Sequence, residues 1–194
     1  MAMIAGIKSG AVEGIDGYGV NVEIDLARGL PSFTIVGLPN AAVRESRERV
    51  SAALRNCGFK VPQKRITVSL APGDMRKEGA AFDLPMAVGI LLASGQIEGP
   101  SCDGTLFLGE LALDGRLSPV RGVLPVACYA RDRGFARLAV PEENGPEASL
   151  VGGIEVAPCR HLADVVDLIA GGAPRAISPC GPPGEAGPGV DPGS

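Results

Sequence analysis

Two hydrophobic rhythms alternate along the chain. Val20-Asn21-Val22-Glu23-Ile24-Asp25-Leu26 repeats every second residue, which predicts a strand with one buried and one wet face. Residues 33–36 form a second short strand, and the Ala-Arg-Gly-Leu-Pro-Ser between the two predicts a hairpin. From Asn40 the period lengthens. Val43, Val50, Leu54 and Cys57 mark one side of a helix that Asn40 caps and Gly58 stops. Residues 64–70 predict the next strand, closed by Pro72-Gly73-Asp74. Asp83-Leu84-Pro85 reads as a cap, a first turn and an early proline. The helix it opens runs to Ser94 and is apolar all round, the mark of deep burial.

The second half has the same style. Residues 105–111 predict a strand, with Asp114-Gly115 turning a hairpin into Arg116-Leu117. A helix over 122–133, a strand over 136–140, a helix near 142–150, a strand over 154–156 and a last helix over 161–170 follow. Strands and helices mix without regular βαβ alternation, so the predicted class is α+β. Beyond residue 170 the pattern ends. Gly and Pro supply 13 of the last 24 positions, too little apolar surface to offset the entropy of ordering. The expected organisation is a folded domain over 1–172 and a disordered tail over 173–194.

Composition narrows the function classes. Hydrophobic residues make up 45% of the 194, enough for a core without cross-links. The five cysteines are an odd number and form no CxxC pair, which argues against a zinc site or a disulfide framework and fits a reducing cytoplasm. The N-terminus lacks the pattern of a signal peptide, and no apolar run approaches the roughly 18 residues of a membrane span. A cytoplasmic protein with no membrane partner is expected.

Net charge is −4, so bulk charge does not advertise nucleic acid. Locally the balance reverses. Residues 41–65 carry Arg44, Arg47, Arg49, Arg55, Lys60, Lys64 and Arg65 against Glu45 and Glu48. Arg44, Arg47 and Arg55 fall on one helical side, and with Lys64 and Arg65 they are candidates for contact with phosphates or an acidic partner. A solvated face with local ion pairs is the alternative reading. No aromatic residue interleaves in the helix, so base stacking is not indicated.

Signatures of chemistry are missing. The glycine-rich stretch 181–189 has no lysine and no Ser or Thr, so it is not a phosphate loop, and no GxGxxG fingerprint lies between a strand and a helix. His161 is the only histidine, so any Ser-His or Cys-His nucleophile must use it, and its place at a helix start suits capping. Asp83, Glu110 and Asp114 sit where turns, caps and ion pairs use carboxylates more often than acid–base catalysis does. No catalytic, cofactor or metal site is expected.

Four long blocks carry a resemblance: SFTIVGLPNAAVRESRERVSAALRNCGF, KRITVSLAPGDMRKEGAAFDLPMAVGILLASGQ, FLGELALDGRLSPVRGVLPVACYAR and LAVPEENGPEASLVGGIEVAPCRHLADVVDLIAGG. In this order, across residues 3–172, they resemble the N-terminal (ChlI-like) domain of the Mg-chelatase-like AAA+ ATPases of the competence, or ComM/YifB, type. The resemblance implies a ribosomal protein S5 domain 2-like fold, shared with the proteolytic domain of Lon. It implies a hexameric motor acting on branched DNA during natural transformation. ATP and Mg are expected only in a full-length member, because the Walker motifs have no counterpart here. A Lon protease also needs a serine before the buried helix and a lysine in a later segment. The serine falls on Ala81 or Asp83 and the lysine on Leu124. The expected function is a non-catalytic domain serving assembly or DNA and partner engagement of a homo-oligomeric motor. A Lon-like peptidase with a nonstandard site, or a free-standing nucleic-acid- or protein-binding module, are the alternatives.

Overall fold

The computed structural model describes residues 3–99 and 102–174, so the tail predicted over 173–194 lies outside the described residues from 175 onward. In chain order the elements are β1 (Met3–Glu13), β2 (Asp16–Ala27), β3 (Ser32–Val36), α1 (Ala41–Asn56), β4 (Arg65–Ala71) and α2 (Asp83–Ala93). Then come β5 (Thr105–Phe107), β6 (Glu110–Leu111), β7 (Leu117–Ser118), α3 (Val123–Asp132), β8 (Arg137–Pro141), α4 (Gly145–Ser149), β9 (Glu155–Cys159) and α5 (Leu162–Ile169). Seven strands make one mixed sheet in the order β3-β4-β2-β1-β5-β8-β9, and β6 and β7 form a separate ribbon.

Three expectations need correction. The predicted β2–β3 hairpin does not exist: β4 lies between them, antiparallel to β2 and parallel to β3. The real hairpin joins β2 to β1, a strand the hydrophobic rhythm did not announce because Gly6 and Gly10 interrupt it. The strand predicted over 105–111 is two strands in two sheets. Between them Gly109 turns to α2, accepting from the Leu84 N–H (3.0 Å) and donating to the Ala81 carbonyl (3.0 Å). The second half is also more regular than its rhythm suggests, since β5, β8 and β9 run parallel with α3 and α4 on the crossovers.

Alternation along β2 explains the two faces of the sheet. Val20, Val22, Ile24 and Leu26 all point into one core with α1, α2 and α5. On the opposite face Gly17 and Gly19 of β2, and Gly10 of β1, leave room for α3. A Cβ on Gly17 would stand 2.3 Å from the Pro125 carbonyl oxygen, and one on Gly10 2.5 Å from a Val126 methyl. The glycines therefore set how close α3 comes. A second core forms there from Leu106, Leu108, Val123, Val126, Ala127, Leu138 and Val140.

The head of α2 carries the third correction. Asp83 does not cap its helix; it is the first helical residue and is fully buried. Its carboxylate accepts from Arg49 Nε (2.7 Å) and Nη2 (3.1 Å) and from the Leu111 N–H (3.1 Å). Arg49 Nη2 also donates to the Ala42 carbonyl (3.0 Å) and the Ser46 hydroxyl (3.1 Å). The pair thus ties α1, α2 and β6 together. The Gly109 carbonyl takes over the capping task. Desolvation pushes the Asp83 carboxyl upward, against the opposing pull of Arg49, Ser46 and Leu111.

Removing the cation leaves a buried carboxylate alone. Arg49→Ala is expected to cost about 3–5 kcal/mol near neutral pH. A carboxyl whose folded pKa is raised favours the fold below its unfolded pKa and loses that contribution as pH rises through the folded value. The penalty in Arg49→Ala therefore shrinks on acidification; urea unfolding across pH checks this, and a pH-independent loss would contradict it. Gly17→Ala is expected to lose about 1–3 kcal/mol by overpacking against the Pro125 backbone. An unchanged urea midpoint would show that α3 can retreat freely.

Candidate functional site

A concavity of about 510 Å³ opens between the β1–β2 hairpin tip and the loop before α2. Gly10 to Gly14 and Tyr18 form one wall; Met75, Arg76, Glu78, Ala81 and Phe82 form another; Leu108, Arg121, Gly122 and Val126 close it. The backbone builds it from segments far apart in sequence, brought together by the hairpin and by the glycine-seated α3.

Loop 72–78 is fixed from behind. Lys77 is fully buried, with Nζ donating to the carbonyls of Pro72 and Met75 (2.7 Å to the latter). Its main chain donates to Leu38 (3.1 Å) and accepts from Asn40 (3.0 Å), anchoring the loop to the start of α1. Burial pulls the Lys77 ammonium below its ordinary pKa. Lys77 does not line the cavity, so a depressed lysine is present but holds carbonyls.

Tyr18 donates to the Arg76 carbonyl at 3.4 Å, and Arg76 pairs with Glu78 at 3.4 Å across an exposed rim. Burial, then the charges of Glu13 and Glu78, push the Tyr18 phenol up. Among the described residues the lining holds no Ser, Thr, Cys, Lys or His. Ala81, one of the two positions where the resemblance puts a serine, faces this cavity; Asp83, the other, is the buried partner of Arg49. Leu124 does not line the cavity, and its N–H donates to Glu147 Oε1 at 3.1 Å.

The lone histidine sits elsewhere. His161 caps α5: Nδ1 accepts from the Ala163 N–H (3.1 Å), and Asp164 accepts from the His161 N–H (3.2 Å) in return. Nδ1 as acceptor assigns the proton to Nε2, which donates to the Asp114 carbonyl at 2.9 Å. Cys57 Sγ lies 3.9 Å from that nitrogen, but a protonated Nε2 cannot take the thiol proton. Burial, then Asp114, pushes the Cys57 thiol up, away from the thiolate. Asp114 itself turns the β6–β7 ribbon and pairs with Arg116 at 2.7 Å.

The five basic candidates do not gather. Arg44 and Arg47 are exposed and line a groove of about 360 Å³ with Glu45, Glu48, Phe33, Thr34 and Ile35. Arg55 shares their angular side of α1 but sits in its last turn, about 16 Å from Arg44 at 1.5 Å per residue. There it complements the helix dipole. Lys64 is half-buried and Arg65 opens β4 on the sheet. Arg49, counted with the same basic run, belongs to Asp83 and is the residue that sequence reasoning missed. The cavity lining of Glu13, Tyr18, Arg76, Glu78 and Arg121 was missed too, since no local pattern marks it.

Among the described residues no cluster of three His, Cys, Asp or Glu side chains could hold a metal ion, and no helix is long and apolar enough to cross a membrane. The glycine-rich stretch 181–189 lies outside the described residues.

The family described as subunit ChlI of Mg-chelatase matches residues 22–144. Competence protein ComM of Haemophilus influenzae is 44% identical over 87% of this chain and 33% of its own length. The protein YifB of Escherichia coli is 37% identical over 85% of the chain and 32% of its own. Lon protease 2 of Bacillus subtilis is 27% identical over 88% of the chain and 34% of its own, in keeping with a Lon-like fold. The chain spans about a third of the length of these relatives. With a family match over most of its sheet and these relatives across its length, the chain belongs to the Mg-chelatase ChlI-like family that includes ComM and YifB.

Proposed function

We propose that this chain is a non-catalytic N-terminal domain of a ComM-type AAA+ ATPase, serving assembly and partner engagement of a hexameric DNA-processing motor in the cytoplasm. One observation carries the reading: the fold is Lon-like and holds a cavity, yet among the described residues its lining offers no serine, threonine, cysteine or lysine. The serine of a Lon-type site is activated by a lysine, and neither residue lines the cavity among the described residues. Side chains that do approach such chemistry are committed to structure: Asp83 to Arg49, Lys77 to backbone carbonyls, and His161 to the α5 cap. In this reading ATP and Mg belong to the ATPase module of a full-length member.

The test is incubation of the chain with an unfolded protein and with a serine-directed covalent probe. No cleavage and no labelling are expected. Turnover that disappears on Ala81→Trp, which fills the cavity, would restore the peptidase reading. ATP hydrolysis by this chain alone is likewise expected to be undetectable.

Nucleic-acid contact by this chain alone has weaker support, because the basic candidates spread over separate surfaces. Mobility of forked DNA at low salt is expected to be unchanged by the isolated chain. A salt-sensitive shift abolished by Arg44→Glu with Arg47→Glu would overturn that expectation.

A further inference from the structure

The two edges of the large sheet are managed differently. β9 has four of its five residues buried and carries Pro158, which blocks edge pairing. β3 has no buried residue, no charge and no proline between Ser32 and Val36. Leu30 (88%), Val36 (43%) and Leu38 (54%) stand exposed around it. An unguarded edge of this kind is a template for another strand.

Its outward groups can be named. The Ser32 N–H donates inward to Lys64 at 3.3 Å. Successive residues of a strand point their main-chain groups to alternate sides, so Thr34 and Val36 also face β4. The main-chain groups of Phe33 and Ile35 face away from the sheet. An antiparallel copy centred on Thr34 sets Phe33 opposite Ile35 of the second copy, and Ile35 opposite its Phe33. Each such pair exchanges both N–H···O bonds.

The helix above the edge obeys the same two-fold. Arg44, Glu45, Arg47 and Glu48 line one groove with Phe33, Thr34 and Ile35. An antiparallel arrangement centred on residue 46 puts Arg44 opposite Glu48 of the second copy, and Glu45 opposite its Arg47. The row is complementary to itself, which is what an isologous interface requires. Within one copy these charges have only weak claims on each other. The Arg47–Glu48 contact of 3.2 Å joins side chains that are 57% and 75% exposed, and Glu45 reaches Arg49 only at 3.7 Å.

We infer that the β3 edge and the adjoining Arg44–Glu48 row of α1 form a two-fold docking surface for a second copy of this chain, pairing β3 with β3 across Thr34. The inference rests on the reading of the domain as an assembly part; an isologous contact closes at two copies, so this surface joins protomers in pairs and does not itself build the ring. It assigns Arg44 and Arg47 to protein carboxylates rather than to phosphates.

Sedimentation equilibrium of the chain tests it, with paired charge variants checked for folding by circular dichroism and urea unfolding. Apparent mass is expected to rise from 19.7 kDa toward twice that with concentration. A single monomeric species up to about 1 mM, the range of a marginal association, would overturn it. Arg44→Glu/Arg47→Glu makes the row wholly acidic, and Glu45→Arg/Glu48→Arg makes it wholly basic. Each variant alone is expected to stay monomeric, and an equimolar mixture to dimerise. Folded variants that dimerise alone, or whose mixture stays monomeric, would also overturn it. So would a monomeric wild type that shifts DNA through Arg44 and Arg47. Peptidase turnover would end the non-catalytic reading and leave the mass measurement unaffected, while a monomer ends the docking surface alone.

Discussion

The buried pair of Arg49 and Asp83 is the constraint on which the arrangement around the cavity depends. A carboxylate with no solvent exposure is costly unless a cation and hydrogen bonds meet it. Here both come from outside its helix: the cation from α1, 34 residues earlier, and an amide from β6, 28 residues later. The pair therefore sets the depth and register of α2 against α1. Through Gly109 and Ala81 it also sets where the loop before α2 enters the cavity wall.

From this anchor the rest follows as a division of labour between the faces of the sheet. One face is filled by branched aliphatics alternating along β2 and β4. The other is opened by glycine so that α3 lies almost on the backbone. The cavity is the space left where hairpin tip, loop and α3 meet without filling it. Among its polar groups, Tyr18 donates to a backbone carbonyl and Arg76 pairs with Glu78. The fold is Lon-like, and the positions where the resemblance puts a serine and a lysine hold Ala81 or Asp83 and Leu124.

What could be read from the sequence divides along the same line. Asn40 and His161 were legible as caps, because their partners Val43 and Ala163 lie within three residues. The Asp114-Gly115 ribbon was legible for the same reason. Asp83 was misread because its local preference is to cap, and only a partner 34 residues away overrides that. The β2–β3 hairpin was misread because sequence adjacency cannot show β4 inserting between them. β1 was hidden by Gly6 and Gly10, the second of which seats α3. The family resemblance supplied the fold and the positions, Ala81 or Asp83 and Leu124, at which it puts a serine and a lysine. The direction of each arginine was beyond both: Arg44, Arg49 and Arg55 share one helix and point to a groove, a buried carboxylate and a helix end.

The central claim is that Asp83, at a position where the resemblance puts a serine, serves the fold rather than chemistry. A double-mutant cycle on Arg49→Met and Asp83→Leu, followed by urea unfolding at neutral pH, tests it most directly. The account predicts that the double variant is more stable than Arg49→Met alone, because removing both charges leaves none buried and unpaired. Stability losses that add within about 0.5 kcal/mol would contradict it.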